Sequence, residues 1–460
     1  MNGNSYISVN PYTEEIIKQY DLTSTTEFST ILNALEQSQK CWRLHSFENR
    51  KLFLIELKNQ LLLHKEQFAK IITSEMGKPL NQSVSEIEKC TTLCDYYSTI
   101  NPKVLEEELE IDHSKAIVSF KPLGTILLIM PWNFPFWQVL RCAIPALLMG
   151  NTILLKHSSN VSGCSLLIEE IFTSVFKKIG VNETLFRTCF LEKDSVAKII
   201  SSDFIQGVSL TGSTKVGKVI AGLCGKYVKK CVLELGGSDP YILLEDAELG
   251  NAIDACVASR LMNTGQSCIS AKRFIVHKRI VKDFTEGMKV AFEKASFADP
   301  MQSPTLGTIA REDLRNSLHF QVQKAIESGA NCIIGGTVPF EKGYFYPATI
   351  LTNIQKTTSS FYEELFGPVA QIIEAESDLD AIKIANDSPF GLGGAIFSRD
   401  EEYALSLALN HLETGSVAIN DYFRSDARLP FGGIKESGFG REMGILGLKE
   451  FSNCKTIRFS

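Results

Sequence analysis

The chain has 460 residues, 44% of them hydrophobic and 22% charged, with a formal net charge of −6. That length allows a sizeable core and about three domains, and the mild acidity excludes a general nucleic-acid binder, which would show a basic patch. The N-terminal stretch has neither a basic nor an apolar signal region, and Pro131, Pro145 and Gly150 interrupt the apolar stretches near 123–131 and 142–155, short of a membrane span; the expectation is a soluble cytoplasmic protein with no membrane or nucleic-acid partner.

Apolar residues recur at three- and four-residue spacing through 28–42 and 52–72, so 26–100 reads as helices, broken at Met76-Gly77-Lys78-Pro79. Residues 105–121 mix polar and apolar side chains and read as extended structure off the main fold. From 123 onward strands and helices alternate: strands at 125–130, 151–156, 205–210 and 231–235, with helices after Pro135, over 162–179 and after Thr214. This order predicts an α/β lobe with a mostly parallel sheet. It restarts after Gly236-Gly237. Strands are expected at 241–244, 273–277, 331–334, 348–351, 369–373, 394–397 and 416–420, with helices at 247–262, 279–296, 311–328, 377–386 and 400–411. The tail, 451–459, reads as one strand without a partner of its own in the chain.

Twelve cysteines are scattered along the chain with no C-x-x-C spacing. Free thiols in a reducing compartment are expected, and no metal site. One cysteine stands apart. Asn263-Thr264-Gly265-Gln266-Ser267-Cys268 lies between a predicted helix and strand, and Gly265 permits a tight turn that would aim the thiol into a cleft.

Other stretches carry polar groups at strand ends. In Pro131-Trp132-Asn133-Phe134-Pro135, two prolines fix a turn around an amide that could hold an oxyanion or simply bond its own backbone. Lys156 ends a strand, where open α/β sheets take ligands, and also reads as a solvated lysine. Thr211-Gly212-Ser213-Thr214-Lys215-Val216-Gly217-Lys218 nearly matches a phosphate loop, but Val219 stands where a hydroxyl is needed. The alternatives are a helix N-terminus facing a pyrophosphate or a plain helix cap. Glu234, between leucines, suits a general base if burial raises its pKa; a structural salt bridge is the other reading. Glu363-Glu364-Leu365-Phe366-Gly367-Pro368 and the Gly-rich run from Pro430 to Glu442 complete the set.

Taken in order, P-W-N-F-P, L-L-K, T-G-S-T-x-x-G, L-E-L-G-G, N-T-G-Q-x-C, E-E-x-F-G-P and P-F-G-G-x-K-x-S-G-x-G-R-E resemble the aldehyde dehydrogenase superfamily over the whole chain. The nearest likeness is to its short succinate-semialdehyde dehydrogenases. The resemblance implies an aldehyde dehydrogenase-like α/β fold: a Rossmann-like cofactor domain (1–103 and 123–234), a catalytic domain (235–449) and a small β oligomerisation flap (104–122 and 450–460). It implies a homodimer or homotetramer, with the two extended segments pairing across subunits. It also implies that Cys268 attacks the aldehyde, that Asn133 holds the oxyanion and that Glu234 activates the water that hydrolyses the thioester. Trp132, Lys156, Ser159, Thr211, Gly212, Ser213, Gly217, Glu364 and Phe366 fall at cofactor positions, and Phe431 in the substrate tunnel.

Two departures bear on specificity. Ser159 stands where many NAD-preferring relatives carry a glutamate, and His157 replaces the common proline. Repulsion of a 2′-phosphate is therefore missing, and NADP meets no electrostatic bar. NAD is nevertheless the expected cofactor, because no arginine or added lysine stands beside Lys156. For a substrate carboxylate, Arg141 matches a family arginine, while Met262 stands where another would be; Arg424 or Arg428 is expected to supply the second charge.

Overall fold

The computed structural model describes residues 5–112, 114–181, 184–192 and 194–459. Its first sheet has six strands in the spatial order Gly438–Phe439, Lys230–Glu234, Ile205–Thr211, Thr125–Met130, Thr152–His157 and Phe186–Thr188. All pair in parallel except the outermost Gly438–Phe439. The chain winds outward from Thr125–Met130 on one side, then returns to add Ile205–Thr211 on the other. Such a reversal opens a crevice beyond the C-terminal ends of the two central strands, which is where open α/β sheets bind ligands. Pro131-Trp132-Asn133 and Gly212-Ser213 follow those two ends directly.

The helices Thr25–Trp42, Phe47–Leu63, Lys65–Met76 and Leu80–Ser98 precede this sheet and share a continuous core with it and its covering helices. They also supply anions to helix ends inside the molecule. Glu86 accepts hydrogen bonds from the Phe136 and Trp137 amides at 2.9 and 3.0 Å, at the start of Trp137–Met149. Glu75 accepts from the Gly163 and Cys164 amides at 2.8 and 2.9 Å, at the start of Ser162–Lys178. A buried carboxylate there satisfies otherwise orphaned N–H groups and meets the positive end of the helix dipole. Lys78, itself fully buried, pairs with Glu86 and lies 3.9 Å from the centroid of the Phe134 ring.

The second sheet has seven strands in the order Asn331–Ile334, Thr349–Thr352, Val369–Ala375, Ala271–His277, Asp239–Leu243, Ala395–Phe397 and Ala418–Ile419. Only Asn331–Ile334 runs antiparallel. Gly236 and Gly237 join the last central strand of one sheet to the first of the other.

A separate three-stranded antiparallel sheet orders Ser452–Arg458, Ser114–Pro122 and Glu106–Ile111. This corrects one expectation. The tail has a partner in its own chain, pairing from Ser452 opposite Pro122 to Arg458 opposite Ala116. The two extended segments meet each other because the chain between them folds back, a contact that no local pattern encodes. Elements absent from the sequence reading are short ones: the hairpin Ser5–Val9 with Ile16–Asp21, the strand Phe186–Thr188, the helix Ser195–Ser201, and the two-residue strands Phe390–Gly391, Ile434–Lys435 and Gly438–Phe439. Their length leaves too few residues for a period to show. Among the described residues no helix is long and apolar enough to cross a membrane, and no group of His, Cys, Asp and Glu could hold a metal ion.

Candidate active site

The helix Leu249–Leu261 ends in a turn, Met262–Gly265, whose backbone is left-handed at three successive residues: Asn263 (φ 53°), Thr264 (φ 56°) and Gly265 (φ 71°). The last must be glycine, since a Cβ there would lie 2.3 Å from the Gly367 backbone. Such a conformation costs free energy at Asn and more at a β-branched Thr, so the surroundings must impose it. They do so through buried amides. Asn263 Nδ2 donates to the carbonyls of Asn133 (2.8 Å) and Gln266 (3.1 Å), and its backbone N–H donates to Gln82 (2.7 Å). Gln266 bonds the Asn263 and Thr308 carbonyls and the Ala310 amide.

This turn sets Cys268 at the start of the second sheet. Beneath it lies Lys272, fully buried, whose Nζ donates to the carbonyls of Ser267 (2.9 Å), Cys268 (2.7 Å) and Ser270 (3.3 Å) and stands 3.6 Å from a Glu364 oxygen. Sequence reading passed over Lys272 because it sits inside an apolar strand run. A charge inside such a run was the signal.

Cys268 is partly accessible and lies where two cavities meet. The smaller, about 240 Å³, is lined by Pro131, Trp132, Asn133, Thr211, Gly212, Ser213, Glu364 and Phe366, among others. The larger, about 570 Å³, is lined by Phe134, Trp137, Arg141, Met262, Arg424 and Phe431, with polar groups from Leu80–Ser98. Gln138 and Cys268 border both. Burial pushes the Cys268 thiol up to about 12; Arg141 and Lys272 pull it down, while Glu364 and Glu234 add to the rise.

Asn133 is buried, with Nδ2 donating to Gln266 O at 3.0 Å and Oδ1 accepting from Gln138 Nε2 at 3.1 Å. That fixes which edge of its amide carries the donors. The loop bearing it is tied down by His157, a buried neutral imidazole lying 3.0 Å from Pro135 O and accepting from the Ser158 amide at 2.9 Å. Burial depresses the His157 pKa to about 4.

Glu234 ends the strand Lys230–Glu234, and neither of its oxygens has a hydrogen-bond partner among the described residues. Burial first, then the charge of Glu442, holds its carboxyl well above the usual range, against Arg141 and Arg441. Of the two alternatives left by the sequence, the salt bridge is not formed. The group lies outside both cavities, against Gly432, where a Cβ would come within 2.8 Å of its Oε1.

The remaining cofactor candidates divide. Gly217 lies in the first turn of the helix Thr214–Lys226, where a Cβ would press within 2.5 Å of Leu235, so this glycine lets the helix pack closely on the chain after the strand Lys230–Glu234. Ser213 caps that helix, accepting from Val216 N at 3.4 Å. At Gly236 a Cβ would come within 2.7 Å of Glu364 Oε2, so the floor of the smaller cavity needs glycine as well. Trp132 and Phe366 meet edge to face at 5.8 Å. Lys156 is half-buried at its strand end, 5.7 Å from the Tyr6 ring centroid, and Ser159 is exposed on the turn after it. A helix N-terminus, a bare glycine floor and an aromatic wall fit a dinucleotide.

The three arginines of the sequence analysis are placed differently. Arg141 lines the larger cavity but is bound by its own chain: it pairs with buried Glu442, donates to Thr211 Oγ1 at 3.3 Å and lies 4.9 Å from the Phe431 ring centroid. Arg428 is outside the cavity, 73% exposed, and chelates Asp426 at 2.8 and 2.7 Å. Arg424 does line the cavity, half out in solvent, stacked on Tyr422 at 3.8 Å and 3.3 Å from Asp421. Lys89 and Ser425, which the sequence reading did not single out, line it too.

Two α/β sheets joined through a Gly-Gly link, with a thiol at the meeting point of two clefts, define the class: a thiol-bearing, two-lobed α/β protein with a dinucleotide-type sheet. The chain belongs to the aldehyde dehydrogenase family, whose sequence model matches residues 1–457. It is similar to an Escherichia coli succinate semialdehyde dehydrogenase [NAD(P)+], 42% identical over 98% of this chain and 97% of the relative. A probable succinate-semialdehyde dehydrogenase [NADP(+)] of Synechocystis is 39% identical over 98% of each chain. Among solved structures, a succinic semialdehyde dehydrogenase from Streptococcus pyogenes in complex with NADP+ superposes with a TM-score of 0.95, at 35% identity over 98% of this chain and 99% of that one.

Proposed function

We propose that the chain oxidises succinic semialdehyde to its acid with NAD+ or NADP+, through a covalent intermediate on Cys268. The observation that carries the reading is the place of Cys268, reachable from one cavity of dinucleotide type and from another whose apolar walls carry cations. The names of the full-length relatives support the substrate.

The thiol loses its proton and sulfur attacks the carbonyl carbon. The S–C bond forms as the C=O pair moves to oxygen, and Asn133 Nδ2 donates to the new oxyanion. Arg141 and Lys272 lower the cost of the thiolate by their charge. A nicotinamide dinucleotide, when bound, would supply the acceptor for the hydride that leaves carbon as the C=O bond re-forms; the helix end at Ser213, the carboxylate of Glu364 and the wall of Trp132 and Phe366 would hold it, and Lys156 and Ser159 would meet its ribose. Once the thioester stands on Cys268, the water oxygen adds to it, and Glu234, ionised and moved out from its place against Gly432, takes the proton. The C–S bond then breaks and returns the thiol. Ser159 carries no charge beside Lys156, so NADP+ is accepted along with NAD+.

The test is a panel of succinic semialdehyde, glutaric semialdehyde and butanal with each dinucleotide. Highest kcat/KM on succinic semialdehyde is expected. A clear preference for butanal would overturn the substrate, and no reduced nicotinamide from any aldehyde would overturn the activity.

A further inference from the structure

One face of the helix Leu80–Ser98 lies along the larger cavity. Gln82, Ser85, Glu86 and Lys89, at i, i+3, i+4 and i+7, all line it. Lys89 is the cation of the four. Its Nζ donates to Ser425 Oγ at 2.7 Å and lies 4.3 Å from the Trp137 ring centroid. Both of these partners are neutral, whereas an ammonium has three donors and a full charge to compensate. The charged neighbours facing Lys89 are engaged with one another. Glu86, from its own helix, pairs with Lys78 and caps Trp137–Met149. Arg141, from that second helix, pairs with Glu442. Asp426, from the loop before Phe431, is chelated by Arg428. Among the described residues, the charge at this cavity left without a paired anion is that of Lys89, and it faces the same cavity as Cys268.

We propose that the Lys89 ammonium, together with the Ser425 hydroxyl, receives the distal carboxylate of the substrate and sets the preference for aldehydes that carry one. This rests on the reading of the chain as a semialdehyde dehydrogenase. Phe134, Trp137, Met262 and Phe431 offer apolar surface for the methylene chain between carboxylate and aldehyde. Arg141 was the expected partner, but its charge is already paired with Glu442, and one further donor goes to Thr211. Burial, then the nearby Arg141 charge, brings the Lys89 pKa down to about 8, while Cys90, Glu86 and Asp426 push the other way. The amine is thus mostly charged at neutral pH and loses its charge in mildly alkaline solution.

The experiment compares kcat/KM for succinic semialdehyde with that for butanal, in the wild type and in Lys89→Met. The ratio is expected to fall roughly 10- to 100-fold in the variant, the loss typical of a charge-assisted hydrogen bond. An unchanged ratio in a variant that melts like the wild type would overturn the role of Lys89 and leave the proposed function standing. A wild type that does not prefer succinic semialdehyde would instead overturn the function, and this inference with it. The wild type alone gives a second arm that does not depend on the variant folding: the same ratio measured from about pH 7 to about pH 9.5 is expected to fall as the lysine deprotonates. A flat ratio across that range would contradict the proposal.

Discussion

Cys268 is held as a thiol by burial, with its pKa raised to about 12. At pH 8 only a small minority of molecules would carry the thiolate. A raised thiol pKa means that reactivity appears only as pH climbs. Inactivation of the free enzyme by iodoacetamide is therefore expected to speed up about tenfold per pH unit between about pH 7 and pH 10; a plateau below pH 8 would show that Arg141 and Lys272 outweigh burial. Ser159 makes a second prediction at this scale. Placing a carboxylate beside Lys156 in Ser159→Glu should lower kcat/KM with NADP+ relative to NAD+ by about tenfold or more, through repulsion of the 2′-phosphate. An unchanged ratio would place the phosphate elsewhere. Much of the residue-scale picture was legible in the sequence, because a turn that demands Gly265 and prolines that flank Asn133 are local features. Lys89 was not. Its meaning depends on Arg141 being taken by Glu442, which lies far along the chain.

The helix Trp137–Met149 depends on an anion from another helix. Glu86 accepts from its first amides and neutralises the fully buried Lys78. Removing one partner of a buried pair strands the other charge, at a cost of about 3–5 kcal/mol. Glu86→Gln should lose about that much stability in urea unfolding, and a loss under 1 kcal/mol would show that the pair is not needed. Strands and helices with a full period were readable, and the parallel order followed from their alternation. What was not readable at this scale is which elements meet. The tail strand looked unpaired because its partner, Ser114–Pro122, is remote in sequence. The hairpin at Ser5–Val9 is likewise fixed by contacts made elsewhere: Tyr6 accepts from the Leu191 amide at 3.2 Å and Ser8 donates to Asn160 O at 3.2 Å.

At the scale of the molecule, the three-stranded flap presents Leu109, Ile111, Ile457 and Phe459 to solvent, and its outer strand Glu106–Ile111 is exposed along its whole length. An exposed strand edge with apolar side chains is a template for another chain. We propose that copies associate through it. Light scattering should give a dimer or tetramer for the wild type and a smaller species for Leu109→Glu with Ile457→Glu; a monomeric wild type would contradict this. The two sheets and the Gly-Gly link between them serve one arrangement, in which the Cys268 thiol is reached from two clefts. Formation of reduced nicotinamide from succinic semialdehyde, in the wild type and in Cys268→Ala, tests that arrangement most directly. The account predicts steady turnover in the wild type and none in the variant, and turnover that persists without the thiol would contradict it.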